Sequence, residues 1–169
     1  EHISTAGTEA SGTSNMKFVL NGGLIIGTLD GANIEIAQEC GEQEMFIFGA
    51  KAHEVEDLRH GQRYRRTQMD PKLETVIEAV RAGHFGDFST NFAPLFDTLT
   101  IGGDFYLISA DFSSYLEAQA RVDAAYQQPR AWCQRSVKAA ARMGKFSSDR
   151  SIAEYARDIW HLSPCPIPE

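Results

Sequence analysis

The chain has no apolar run approaching the length of a membrane-spanning helix, and its first residues do not form a signal peptide. Cysteine is scarce. Cys40, Cys133 and Cys165 are an odd number without metal-ligand spacing, so no metal site is expected and a reducing cytoplasm fits best. Excess positive charge is lacking too: 16 basic residues against 23 acidic ones leave a net charge of −7, and nothing favours nucleic acid or an anionic membrane as a partner. One local basic cluster, Arg59-His60 with Arg63, Arg65 and Arg66, reads as a solvated helix end and loop. There is no internal repeat and no low-complexity segment.

Two phosphate fingerprints are also missing. Gly7 to Gly12 has the glycine spacing of a P-loop, but Thr13-Ser14 follows where a lysine must stand beside the second glycine. The dinucleotide pattern Gly-x-Gly-x-x-Gly occurs nowhere, and Gly22-Gly23 with Gly27 does not have its spacing.

What is present is the stretch Gly7-Thr8-Glu9-Ala10-Ser11-Gly12-Thr13-Ser14-Asn15-Met16-Lys17-Phe18. Its glycines permit positive φ and close approach to a ligand. Thr13, Ser14 and Asn15 read as capping residues at a helix start whose N–H groups point at an anion. Lys17 then falls about one turn inside the helix, flanked by Met16 and Phe18. A lysine held between apolar walls is disfavoured as an ammonium, which makes its amine a nucleophile toward an aldehyde. A phosphate cradle beside such a lysine suggests a phosphorylated aldehyde. A glycine-rich turn before an ordinary surface lysine fits the same residues.

At 169 residues the chain fits one domain, or one domain with a projecting piece, and could bury roughly 70% of its unfolded surface. It reads as alternating α and β. Gly23 to Thr28 and Glu44 to Gly49 are short apolar strands. Asp30-Gly31-Ala32-Asn33 is a turn with a capping residue, and a helix through Gln38 ends at Gly41. Together they make a βαβ unit with a parallel sheet and a right-handed crossover. Val55 and Leu58 predict a helix closed by Gly61. Asp70-Pro71 opens an amphipathic helix carrying Leu73, Val76, Ile77 and Val80 and closed by Gly83. Phe92 to Leu99 reads as a short helix and Phe105 to Ile108 as a last strand. From Ser113 onward the chain is helical, with core-packing stripes Tyr115, Ala118, Val122, Ala125 and then Trp132, Cys133, Val137, Ala140 up to Gly144. Ser148-Asp149 caps a final helix striped by Ile152, Tyr155, Ala156, Ile159 and Trp160 and stopped by prolines at 164, 166 and 168.

The block from Glu1 through Phe18, with Asn21-Gly22, Gly27-Thr28-Leu29-Asp30-Gly31-Ala32-Asn33, Phe46-Ile47-Phe48-Gly49 and Lys145-Phe146-Ser147-Ser148-Asp149-Arg150-Ser151-Ile152, closely resembles the α-1,4-glucan phosphorylases of glycogen, starch and maltodextrin. The likeness covers essentially the whole chain and is loosest from about Lys51 to Ala110. Many members have glycine where this chain has Ser14, so φ there must suit serine.

The resemblance implies a C-terminal piece of a longer cytoplasmic enzyme. Residues 1–145 would belong to a Rossmann-like cofactor-binding domain, half of a two-domain glycosyltransferase-B-type fold. Residues 146–169 would be a terminal helix crossing back to a missing N-terminal domain. Its apolar stripe would then be exposed in this chain alone, which would tend to self-associate. The implied reaction is retaining phosphorolysis of α-1,4-glucans by inorganic phosphate to glucose 1-phosphate, in a homodimeric parent.

The resemblance also implies site residues. Lys17 would carry pyridoxal 5′-phosphate as a Schiff base, with Thr13 and the N–H of Ser14 on the cofactor phosphate. Glu9 would accept a hydrogen bond from a glucose hydroxyl, and the N–H groups of Ala10, Ser11 and Gly12 would line sugar and phosphate. His2 receives no role, and His53, His60, His84 and His161 read as structural. The isolated piece is expected to be inactive. A non-catalytic phosphate-binding α/β module, and a pyridoxal enzyme acting on amino acids, are the alternatives.

Overall fold

The computed structural model describes residues 1–64, 69–87, 92–101, 103–163 and 165; the side chains of 62–64 and 100 lie outside that description. Its centre is a parallel pair, β1 (Ile26–Gly27) and β2 (Phe46–Ile47), in the register Ile26 with Phe46 and Gly27 with Ile47. Helix α2 (Ala32–Cys40) joins them, as the βαβ reading expects. On the other side of β1, His2 forms a single parallel bridge to Gly27. Its N–H donates to Ile26 O at 2.9 Å, and its O accepts from Thr28 N–H at 3.3 Å. Reading the sequence in blocks overlooks this extra edge.

Alternation along the two strands feeds two cores, because successive side chains point to opposite faces. Ile25 and Met45 pack with Val19, Ile36, Cys40, Ala139 and Met143, while Ile26, Phe46 and Phe48 pack with Ala118. The first core lies under α1 (Thr13–Leu20), α2 and α7 (Pro129–Ala141). The second lies under α6 (Ile108–Tyr126), where Tyr115, Val122 and Ala125 join Ala118 on the expected stripe. Ordered pairing covers two residues per strand. The strands expected over Gly23–Thr28 and Glu44–Gly49 are cut short by the glycine turn that closes α1 and by the 3-10 turn Glu42–Glu44.

The remaining helices are α3 (Val55–Tyr64), α4 (Pro71–Arg81), α5 (Ala93–Thr100) and α8 (Ser148–Glu154), the last running into a π-helical turn at Tyr155–Ile159. Asp70 caps α4 by accepting Lys72 N–H at 2.8 Å, and it also accepts the Ser113 hydroxyl at 2.6 Å, tying α4 to α6.

Several expectations are corrected. Gly61 lies inside α3 instead of ending it; a single glycine costs a helix only about 1 kcal/mol. Val76 faces solvent, leaving Leu73 and Ile77 as the buried pair of α4. Phe105–Ile108 is not a strand. Asp104 accepts the N–H groups of Ile108 at 2.9 Å and Ser109 at 2.8 Å, and so starts α6 there. In α7 the inward residues are Trp132, Ser136 and Ala139, with the following Met143, while Cys133 and Val137 are exposed. A 3-10 turn, Met143–Phe146, follows α7 and contains Gly144. The α8 N-cap is Ser147, one residue before the expected cap, and no side chain bonds there.

Of the basic cluster, Arg59 is not simply solvated. Its Nε donates to Phe105 O at 2.9 Å and its guanidinium lies 3.9 Å from the Phe105 ring centre. The loop expected at Arg65 and Arg66 lies outside the described residues, as does the side chain of Arg63.

Glu44 ties α7 to the sheet. Its carboxylate is 5% exposed and meets Lys138 and, at 3.5 Å, Arg135. Burial pushes its pKa up, but the bonds and charges of Lys138 and then Arg135 outweigh this and hold it below the ordinary value of 4.5. A depressed carboxylate pKa adds stability that is present above its unfolded value and is lost as pH falls through the folded one. Acid titration of the chain should therefore show a loss of stability below about pH 4.5 that is reduced in Glu44→Gln, measured by denaturant midpoints at each pH. On α2, Ile36→Ala (1% exposed) should cost about 3 kcal/mol, whereas Ile34→Ala (42% exposed) should cost under about 1 kcal/mol by the same measurement.

Candidate active site

The glycine-rich segment is a loop laid over the start of α2 and ending in α1. Two carboxylates organise it. Asp30, 5% exposed, accepts the backbone N–H groups of Thr8 at 3.0 Å and Glu9 at 2.7 Å through one oxygen. Glu9, half-buried, accepts Ser11 N–H at 3.1 Å. Beneath them Ser11 O accepts the N–H of Ala32. That approach requires Gly31, which takes φ 49° and ψ −136°. A Cβ there would stand 2.8 Å from Ser11 O and 3.0 Å from Glu9 Cγ, so any other residue forces the loop away.

A buried amide network lies under the start of α1. Asn33, fully buried, donates from Nδ2 to Thr28 O at 2.9 Å and to His2 Nδ1 at 3.1 Å, and accepts on Oδ1 from Asn15 Nδ2 at 2.8 Å. Asn15 is thus a buried tie between two helices. Its capping role is corrected: its N–H goes to Gly12 O at 3.0 Å, and no side chain caps α1. Asn33 likewise lies inside α2 and caps nothing.

Gly12 takes φ 82° and ψ 45° as the N-cap of α1. Its hypothetical Cβ would meet only ordinary contacts, the nearest at 3.6 Å, so the positive φ rather than lack of space asks for glycine here. Ser14 lies in the helix and is not among the positive-φ residues, so serine suits it. Among the described residues no acceptor is bonded to the N–H groups of Ala10, Gly12, Thr13 or Ser14. The free N–H groups of a first helical turn carry partial positive charge and favour an anion.

Lys17 stands one turn after Thr13. The two are i and i+4, so they share a stripe, and both face solvent. Burial of Asn15 and Val19 sets this: they form the inner face, and Lys17 falls roughly opposite. The apolar walls expected around Lys17 are therefore not formed by its neighbours, since Phe18 is 67% exposed and Met16 turns partly toward the core. Residues 9–14 run directly into α1, and together with the solvent-facing Lys17 they present a half-buried carboxylate, four unbonded N–H groups and an amine. Among the described residues no group of His, Cys, Asp and Glu could hold a metal ion, and no helix is long and apolar enough to cross a membrane.

Asp30, Gly31, Asn33 and His2 are the parts of this surface's support that the sequence reading left without a function. The available signal was the run Asp30-Gly31-Ala32-Asn33, three polar or flexible residues at a strand-to-helix turn whose flanks are apolar.

A family model described as carbohydrate phosphorylase matches residues 1–162. The chain is 50% identical over 173 aligned residues to the cytosolic alpha-glucan phosphorylase 2 of Arabidopsis thaliana, covering 99% of this chain and 20% of that protein. It is 49% identical over 166 residues to the glycogen phosphorylase of Saccharomyces cerevisiae, covering 97% and 18%, and 47% identical over 173 residues to the chloroplastic/amyloplastic L-2 isozyme of Solanum tuberosum, covering 99% and 18%. The chain spans about a fifth of the length of these curated relatives.

Asp30→Ala should release the loop from its support. We expect a loss of about 2 kcal/mol, because two N–H groups lose one charged acceptor, with hydrogen-exchange protection falling first at Thr8 and Glu9. Unchanged protection at both amides would show that the loop is held otherwise.

Proposed function

We propose, because this chain belongs to the carbohydrate phosphorylase family, that it forms the cofactor-bearing part of an enzyme that phosphorolyses α-1,4-glucans to glucose 1-phosphate with retained configuration. The observation that carries this reading is the stripe at the start of α1, where the unbonded N–H groups of Thr13 and Ser14 lead to Lys17 beside the loop bearing Glu9.

The residues present fit pyridoxal 5′-phosphate. The first turn of α1 offers N–H groups of Thr13 and Ser14 and the Thr13 hydroxyl to a phosphate, and Lys17, one turn on, offers an amine to an aldehyde. When bound, the cofactor supplies a phosphate able to handle a proton where a retaining glycosidase uses a second carboxylate. Glu9 then accepts a hydrogen bond from a glucose hydroxyl, and the N–H groups of Ala10 and Gly12 line sugar and substrate phosphate. Ser11 N–H is engaged by Glu9 and contributes by fixing that carboxylate's orientation.

In this reading residues 1–145 belong to a Rossmann-like half of a glycosyltransferase-B-type fold, and residues 146–169 cross to the other half. The exposure of Ile152 (56%), Tyr155 (49%), Ile159 (62%) and Trp160 (52%) supports that assignment. We place the enzyme in the cytosol as a homodimer; the Cys40 and Cys133 thiols suit a reducing compartment.

Borohydride treatment of the full-length protein should fix a pyridoxyl group on Lys17, located by peptide mass spectrometry. Lys17→Ala should lose both the label and glucose 1-phosphate formation. An unlabelled full-length protein, or phosphorolysis that survives Lys17→Ala, would overturn the reading. Phosphate binding retained by Lys17→Ala with no chromophore lost would favour the phosphate-binding module.

A further inference from the structure

His2 is the one histidine drawn into the site. Its side chain is 11% exposed, and its Nε2 is shielded from solvent without a hydrogen-bond partner among the described residues. The tautomer follows from what lies on the other side of the ring. Thr28 O can only accept, so the Asn33 atom 2.9 Å from it must be the amide nitrogen, which leaves Asn33 Oδ1 to accept from Asn15. The same nitrogen lies 3.1 Å from His2 Nδ1 and has only protons to offer, so Nδ1 is the acceptor. A neutral imidazole then carries its proton on Nε2. That N–H faces Glu9 Oε2 at 3.8 Å, while Glu9 Oε1 holds Ser11 N–H and the Glu9 backbone N–H is held by Asp30.

We infer that His2 is a positioning residue for Glu9. Thr28 O and the Asn33 amide orient the ring, and the ring aims its Nε2 proton at Glu9 Oε2 from 3.8 Å, an electrostatic attraction longer than a hydrogen bond that biases one carboxylate oxygen while the other holds Ser11 N–H. Its importance for turnover rests on the proposed function; the ring's tautomer and its contact with Glu9 do not.

Two substitutions separate the two sides of the ring. In His2→Asn the amide oxygen sits at about the reach of Nδ1 and still accepts from Asn33, but no donor extends to Glu9. In His2→Gln an N–H is restored at about the reach of Nε2. In the full-length enzyme, His2→Asn should lower kcat/KM for phosphorolysis about tenfold while Lys17 is still labelled by borohydride, and His2→Gln should recover most of that loss. The His2→Asn effect should vanish in a Glu9→Gln background, because the two residues act as a unit. Wild-type kinetics in His2→Asn, or an equal loss in the Glu9→Gln background, would overturn the inference.

Nitrogen-15 spectra of histidine-labelled protein give a readout independent of activity. The pair of signals missing in His2→Asn should show an unprotonated Nδ1 and a protonated Nε2, with the Nε2 signal moved by Glu9→Gln. A protonated Nδ1, or an Nε2 signal indifferent to Glu9→Gln, would overturn the inference even if phosphorolysis is confirmed. An inactive wild-type protein would instead remove the proposed function and leave these spectra to decide the role of His2.

Discussion

The buried side-chain amide of Asn33 is the constraint on which the site depends. It is fully buried and uses both of its protons and its oxygen on three different segments: the end of β1 through Thr28, the leading edge of the sheet through His2, and α1 through Asn15. A buried amide left short of a partner costs about 1–3 kcal/mol per group, so the three segments have one low-energy arrangement and not a family of them. Hydrophobic packing alone would hold α1 against α2 but would leave its rotation loosely defined. The amide network fixes which face of α1 turns inward, and therefore that Thr13 and Lys17 turn outward.

Asp30 performs the matching task for the loop. Its carboxylate gathers Thr8 and Glu9, while Gly31 beside it brings α2 so close to Ser11 that a carbonyl and an N–H meet directly. The loop thereby takes its shape from the βαβ unit without contributing to the sheet. The unit has two faces filled by alternate residues of the same short strands, so movement of either strand would disturb both cores at once. Rigidity made by apolar packing reaches the open surface through two polar side chains three residues apart.

Apolar pattern and turn chemistry made much of the fold legible. The apolar runs through Ile25-Ile26 and Met45-Phe46-Ile47-Phe48 and the stripe on α6 could be read because burial there follows hydrophobicity, and the Asp70-Pro71 cap because its side-chain hydrogen bond is local in sequence. The failures share a cause. Phe105 to Ile108 has the composition of a strand, but Asp104 supplies hydrogen bonds that start a helix. The inward face of α7 is set by small residues, Ser136 and Ala139, packed under larger ones, and hydrophobicity ranks Val137 and Cys133 above them. At the site, Glu9, Thr13 and Lys17 drew attention because their chemistry is conspicuous. His2, Asp30 and Asn33 are polar residues used inside the protein, where a scale built on exposure expects none.

The electrostatics of the open surface point in a further direction. A helix N-terminus in water adds about 0.3–1 kcal/mol to the binding of a negative charge, and about 2 kcal/mol in favourable partly buried sites. In this chain Thr13, Ser14, Lys17 and Phe18 all face solvent. The groups are held in place, yet water still screens each of them, so preorganisation and strength are supplied by different parts of the structure. Asn33 and Asp30 fix the direction in which N–H groups, amine and carboxylate point. Only exclusion of water can raise what each is worth.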